Sequence, residues 1–458
     1  MSRKLVYLLT LVLFFVLAGG IVYRFIRQRQ HATFIYQGLQ SRKGPLAKAP
    51  EWASVQTTAT RLLQRARENP DDANAALGLA ALFIQEARVT GNYAYYDRAA
   101  LMQLDKVLEL DGSNFQALAY KALIQLSQHH FAEALSTAEQ AVRINPYHAF
   151  IYGLLVDAQV ELGNYQVAVE QAGNMMALRP DLRSYARVAY LREIHGDYPG
   201  AIEAMTLAVE AGLPGDEATE WTRVQLGQLY EKVGDLSSAE KQFFTALNQR
   251  PYYAYALAGL AQVALARHQS AAAITYLQQA GTLVNDYAFK EVLIDAYRQA
   301  GKPQQADALA DQVVQEMELS NARAATDETM GHYTDRELAA VYLKVNKVDQ
   351  ALNHALAEYN RRPHNIEVNE LLAWVYYLKG DGEKAGRFIG EALRTHCKNP
   401  TLLCRAGLIY AGAGNPTKAR WLLMEGLKNH PLLEAALEQQ SRTVLQRLSS
   451  GNNYMQNN

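Results

Sequence analysis

Three small groups of residues are of the types that do chemistry. His129 and His130 are adjacent, His396 and Cys397 lie close to Cys404, and Glu367 stands three residues before Glu370. Imidazoles and thiolates are the ligands that zinc takes, and a closed tetrahedral site needs four of them. The His396, Cys397 and Cys404 group has no fourth ligand nearby, so it reads as an accident of sequence. The chain has only two cysteines, which excludes a four-thiolate site and a disulfide framework. His129-His130 reads as a solvated turn. Glu367 and Glu370 read as a solvated or groove-facing stripe rather than an acid–base pair. No phosphate-binding loop, zinc-protease helix or nucleophile elbow is present, and GAGNP at 412–416 is a turn. The sequence therefore predicts no enzyme, no cofactor and no metal.

The frame that carries these residues is a repeat. An alanine inside an apolar helical pattern recurs at Ala100, Ala134, Ala168, Ala201, Ala239, Ala273, Ala306, Ala351, Ala385 and Ala419. Most of its intervals are 33 or 34 residues; Ala201 to Ala239 and Ala306 to Ala351 are longer. A small residue at fixed phase over such a period is the mark of paired helices stacked in register. Pro146, Pro180, Pro251, Pro363 and Pro431 fall at the ends of units, where a residue without an N–H can break the helix. With 49% hydrophobic and 20% charged residues over 458 positions, the chain is too apolar to be disordered.

The stretch LGQLYEKVGDLSSAEKQFFTALNQRP, residues 226–251, resembles a tetratricopeptide repeat with each signature position filled. Gly227 permits close approach of two helices and Tyr230 fills the space between them. Gly234 makes the turn, Ala239 packs beneath the facing helix, Phe243 and Ala246 meet the next unit, and Pro251 ends the second helix. The units ending at Pro180 (Gly163, Tyr165, Ala168) and Pro431 (Gly407, Tyr410, Gly414, Ala419) follow the same pattern. Departures are Ala122, Val156 and Ala373 at the first glycine, and Cys397 where proline is expected. The resemblance implies an all-α, right-handed α-solenoid of about ten helix pairs over residues 73–431. A capping helix over 51–72 precedes it, and a C-terminal capping helix with a disordered tail over 432–458 follows. Arg88–Tyr96, Ala211–Glu220 and Glu316–Thr334 break the period and read as surface loops.

In proteins of this kind the first helix of each unit lines a concave groove. Transferring those positions gives Phe150, Arg183, Arg187 and Tyr190, then Trp221, Gln228, Tyr255 and Gln262. Further along they are Asp295, Arg298, Tyr333, Arg336, Trp374 and Tyr377. Rings beside isolated arginines suit a protein or peptide ligand, although tyrosines at helical spacing also serve as packing between helices. Arg183 and Arg187 are four apart and share a helix face. They resemble half of a carboxylate clamp whose other half is missing, since Gly153, Ala119 and Leu123 stand at the matching phases. The plainer role for the pair is to face Glu161 or Glu193.

Residues 5–23, LVYLLTLVLFFVLAGGIVY, carry no charge and are flanked by Arg3-Lys4 and by Arg24, Arg27 and Arg29. At ~1.5 Å per residue the run matches a bilayer core. We expect a single transmembrane helix within 1–25, with lipid as a partner. A cleaved signal peptide, with Val16 and Ala18 as its small residues, is the alternative. The basic excess after the segment favours a cytoplasmic body, whereas the Arg3-Lys4 tail also fits export. A basic linker is expected over 26–50. Residues 1–50 hold eight basic and no acidic side chains within a chain of net charge −1, so the body is acidic and nucleic acid is not its expected ligand. Together these features predict a membrane-anchored scaffold or adaptor working through its groove. The alternative is a structural or assembly factor of a cell-envelope complex, acting through the convex face or by self-association.

Overall fold

The computed structural model describes residues 19–20, 38–326, 332–428 and 433–455. The expected anchor at 5–23, apart from Gly19 and Gly20, lies outside the described residues, as do most of the linker and Pro431. Among the described residues no helix is long and apolar enough to cross a membrane. The chain divides into residues 1–40 and 41–458. Everything below concerns the second unit.

This unit opens with a short 3-10 turn, Gly44–Lys48, and a lone helix, α1 (Pro50–Glu68). Ten helix pairs follow: α2 (Ala73–Thr90) with α3 (Tyr93–Leu110), α4 (Phe115–Ser127) with α5 (Phe131–Ile144), α6 (Ala149–Glu161) with α7 (Tyr165–Leu178), α8 (Leu182–Ile194) with α9 (Tyr198–Glu210) and α10 (Glu217–Lys232) with α11 (Leu236–Gln249). The array continues with α12 (Ala254–Ala266) and α13 (Ser270–Leu283), α14 (Tyr287–Gln299) and α15 (Pro303–Thr326), α16 (Asp335–Lys344) and α17 (Val348–Arg361), α18 (Ile366–Leu378) and α19 (Gly382–Ala392), and α20 (Pro400–Gly412) and α21 (Pro416–Gly426). The last helix is α22 (Ala435–Met455). No strand occurs among the described residues.

The sequence sets this order locally. Asp72, Asn114, Asp197, Asp235, Asp381, Asn399 and Asn415 each cap a helix by accepting a hydrogen bond from a backbone N–H of its first turn. The residue closing the turn between paired helices is left-handed, as glycine at 163, 196, 234, 301, 380 and 414 and as His129, His268 and Asn346 elsewhere. All ten recurring alanines are fully buried beneath a facing helix. Phe243 sits between Gly227 of its own unit and Gly259 of the next, and a side chain at either glycine would overlap its ring. Consecutive first helices also pack on one another, which curves the array and puts them on its inner side.

Several expectations need correction. The linker ends earlier than residue 50: the Arg42 side chain is fully buried, donates to both carboxylate oxygens of Glu86 (3.0 and 2.6 Å) and to Glu51 (3.1 Å), and lies over the Trp52 ring at 4.9 Å. A guanidinium taken out of water is tolerated only with this full set of acceptors. Of the three period breaks, only 211–216 forms a surface loop. The extra residues at 88–96 lengthen α2 and α3 around a short Gly91-Asn92 turn, and those at 217–220 lengthen α10. The break at 316–334 is mostly helix, because α15 runs to Thr326. The tail is helical through Met455 rather than disordered.

Candidate functional site: the inner face and its seam

The inner face is built from first helices. Equivalent positions, counted back from the turn that closes each pair, place Phe150, Arg183, Trp221 and Tyr255 along one strip, and Arg336 lies nearer the turn on its own helix. Of the four candidate arginines, three are already committed. Arg187 donates to both carboxylate oxygens of Asp157 (2.9 and 2.6 Å) and to the Gly153 carbonyl (2.9 Å). Its partner is thus Asp157, not Glu161 or Glu193 as the sequence suggested. Arg336 pairs with Glu337 (3.1 Å) and Glu367 (2.9 Å). Arg298 donates to the Lys344 carbonyl and lies 3.7 Å from Asp307. Arg183 differs. Its guanidinium lies over the Phe150 ring at 5.2 Å and has no anion within hydrogen-bonding distance among the described residues. Burial and the neighbouring Arg187 lower its pKa.

The rings divide in the same way. Tyr190 and Trp221 are 37% and 38% exposed, so each keeps a free face. Tyr255 packs edge-on against Tyr253 and Phe289, and Gln228 and Phe150 are half-buried. Trp374 and Tyr377 stack on each other at 5.0 Å, with Arg405 over Trp374. The chain covers this pair itself: Gln440 of α22 donates to the Tyr377 hydroxyl (3.2 Å), and Val444, Leu445 and Leu448 join the same apolar cluster. Tyr333 is not on the open groove; it lies under Arg361 at 4.4 Å, in a seam described next.

Ion pairs tie adjacent units together along this face. They run from Arg187 to Asp157, Lys232 to Glu193 (2.5 Å), Lys344 to Asp295 (2.5 Å), Arg336 to Glu367 and Arg405 to Glu370 (3.2 Å). Glu367 and Glu370 are therefore structural partners of arginines. Burial pushes the Glu161 and Glu291 carboxyls up to about 7. Burial also acts to raise Glu337, but Arg336 and two histidines hold it down at about 2. Burial raises the Tyr190 phenol, reinforced by Glu367, Glu161 and Glu193, so residues some 200 positions apart lie near one another.

The seam explains that proximity. The 332–334 segment docks on the α4–α5 turn: the Tyr333 N–H donates to the Gln128 carbonyl (3.3 Å), His129 Nδ1 to the Tyr333 carbonyl (2.9 Å) and His332 Nδ1 to the Ser127 carbonyl (2.9 Å). The two imidazoles lie 4.0 Å apart. His129-His130 is thus a packed turn, not a solvated one, and burial followed by the neighbouring His332 lowers the His129 pKa to about 3. The next turn repeats the pattern. Arg362 pairs with Glu161, Asn365 donates to the Glu161 carbonyl (3.1 Å), and the Ile366 N–H donates to the Tyr165 hydroxyl (2.9 Å). Arg394 bridges the Gly163 and His364 carbonyls. At the N-terminal end Arg250 pairs with Glu51 (2.9 Å). These partners are separated by 199 to 205 residues, except Arg394 with Gly163 at 231 and with His364 at 30. At the repeat period found in the sequence, about 200 residues is six helix pairs. The turns of one coil of the solenoid thus rest on the linkers of the next. Sequence reasoning missed Glu161, Arg362, Asn365, Arg394 and His332 as contact residues; only the irregular interval before Ala351 marked the region.

Among the described residues no group of three or more His, Cys, Asp or Glu side chains could hold a metal ion, and Cys397 and Cys404 are buried free thiols.

The chain is an all-α solenoid of helix pairs with a tetratricopeptide-like register. No family model and no curated protein matches it. Solved structures with some likeness include a tetratricopeptide repeat protein from Parabacteroides merdae, at 16% identity over 51% of this chain and 88% of that one, with a TM-score of 0.41. Others are a human IFIT1 dimer with PPP-AAAA, at 15% identity over 76% and 88% with a TM-score of 0.44, and the Cut9–Hcn1 hetero-tetramer of the APC/C, at 13% identity over 88% and 97% with a TM-score of 0.38. The architecture stated above rests on this chain's own packing.

Proposed function

We propose that the protein is a membrane-anchored scaffold whose inner face binds a protein or peptide partner bearing acidic side chains. The observation that carries this reading is Arg183. An exposed guanidinium, stacked on a ring and left without an anion beside three cations already paired, is a binding site for a carboxylate. Tyr190 and Trp221 offer rigid apolar area on either side. An array of acidic peptides, with amidated counterparts as controls, tests it on the whole chain. We expect acidic peptides to bind and Arg183→Glu to weaken them about tenfold, near the loss of one charged hydrogen bond. Equal binding by both peptide sets, or an unchanged Arg183→Glu variant, removes this site.

The anchor belongs to the same proposal. The uncharged run at 5–23 between arginines supports one membrane span, with a cytoplasmic body favoured by the basic residues after it and export as the alternative. A reporter that fluoresces only in the cytoplasm, fused after Asn458 and paired with one active only after export, decides between them.

A second reading has its own support. Trp421 and Met424 stand 60% and 52% exposed on the outer helix of the last pair. At the position of Trp421 most other units carry a polar residue, among them Ser136, Glu170, Glu203, Lys241 and Arg387. Such an apolar pair suits an assembly factor acting through the outer face. Sedimentation of the whole chain against Trp421→Glu tests it: concentration-dependent association that the substitution abolishes favours this reading, and a monomer in both rejects it.

A further inference from the structure

Three features of the seam bear on how anything reaches the inner face. First, the contacts recur at about six units' separation, from Arg250–Glu51 through His332–Ser127 to Arg362–Glu161, so successive coils are joined along their edges. Second, they include the main chain: Tyr333 and Ile366 give their N–H groups to the previous coil, and Gln128, Ser127, Glu161 and Gly163 give their carbonyls. Third, the fit has no slack. A side chain at Gly163 would collide with the His364 carbonyl, and one at Gly196 would lie 2.6 Å from the His396 carbonyl. At Gly301, Gly380 and Gly414, the equivalent turn positions of later units, a side chain meets nothing. The close approach is therefore specific to the coil that has another coil against it.

We propose that the seam is a latch. Closed, it seals the side of the solenoid and leaves Tyr190 reachable only by small molecules; open, it admits a folded or bulky chain to the inner face. The latch rests on the reading of the inner face as a binding surface, but its opening is measured without any partner. The joints are mainly charged hydrogen bonds and ring–guanidinium contacts, and the apolar part is small, with Ile366 seated among Val160, Tyr165, Leu191 and Ile194 of the previous coil. Such contacts open locally at less cost than the global fold. The helix-pair packing, with its buried alanines and Phe243, stays intact when they part.

The test uses the whole chain carrying Tyr190→Cys, with the unsubstituted chain giving the background from its two buried cysteines. A small maleimide and a polymer-linked maleimide compete for the new thiol. We expect the bulky reagent to be slower by about tenfold or more than its intrinsic rate ratio allows, since its rate scales with the open fraction. Adding Gly163→Ala wedges the seam and should abolish that difference. Adding Gly380→Ala imposes the same left-handed strain in open space and should leave it unchanged. Arg394→Ala removes the bridge from Gly163 to His364 without altering a turn, and serves if the glycine variant does not fold. Hydrogen exchange of the Tyr333 and Ile366 amides should accelerate in the wedged variant alone. Equal labelling by both reagents in the starting protein, or a wedged variant that keeps both the size selectivity and the amide protection, overturns the latch. Arg183→Glu should not change the labelling, so a failed peptide site and a failed latch are told apart.

Discussion

Single side chains carry the sharpest consequences. His129 is neutral in the fold because burial lowers its pKa to about 3, against an ordinary value near 6.5. The unfolded chain then binds a proton that the folded chain refuses. The stabilisation is complete above about pH 6.5 and is lost as the pH falls toward 3. Asp97, Glu161 and Glu291, pushed by burial to about 7, work in the opposite direction: the fold takes up their protons first and gains as pH falls from 7 toward 4. The histidine's share is therefore read as a difference. His129→Asn keeps a side chain that tolerates the left-handed turn and does not titrate. We expect urea midpoints measured from pH 7.5 to 5 to fall less, or rise more, in this variant than in the parent. Parallel curves would mean the histidine is solvated. Arg187 teaches a related lesson. Its spacing from Arg183 was visible in the sequence, and so was the shared face. What the sequence could not show was that Asp157, thirty residues back, sits at the matching height of the neighbouring helix and leaves Arg183 alone as the open cation.

At the scale of the element, the alanine period, the turn glycines and the proline breaks were enough to place ten helix pairs, because each unit repeats one local solution to burying an apolar stripe. We expect Ala239→Leu to overpack the α10–α11 contact and to cost about 1–3 kcal/mol in a denaturant titration. An unchanged midpoint would show that the contact has room. Periodicity failed where a unit departs from the average. Extra residues at 88–96 and 316–334 suggested loops, since they broke the count; yet both stretches carry buried apolar side chains on helices, Val89 and Tyr96 in the first and Met317 in the second. The linker boundary was misplaced for another reason. A run of positive charge with no acid nearby reads as solvated, whereas Arg42 finds Glu86 in α2. Breaking a buried pair strands the remaining charge, so Arg42→Ala should cost about 3–5 kcal/mol, and Arg42→Ala with Glu86→Leu should recover part of it. A surface arginine would show less than about 0.5 kcal/mol.

For the whole molecule, the seam alters what kind of object a solenoid is. Open arrays are nearly one-dimensional, each unit touching its neighbours alone, and they lose units from the ends. Here the third pair holds the ninth through Glu161, Tyr165, Arg362 and Ile366. We expect thermal unfolding followed by near-ultraviolet and far-ultraviolet signals to coincide in one transition. Gly163→Ala should separate it into two, while Gly380→Ala should not. None of this was legible beforehand. Repeats report contacts between neighbours, and a pairing across six units leaves no periodic trace; it depends on the curvature that ten slightly different interfaces add up to.

That separation also fixes an order of events on the ribosome. The first six pairs emerge, fold and curve long before residues 332–366 exist to meet them. For that interval the nascent protein is an uncovered trough, with Arg183, Tyr190 and Trp221 facing the surrounding medium and no later coil against them. Closure is a late, long-range step, of the sort that chain topology makes slow. A partner that docks during synthesis would never have to open what has not yet shut.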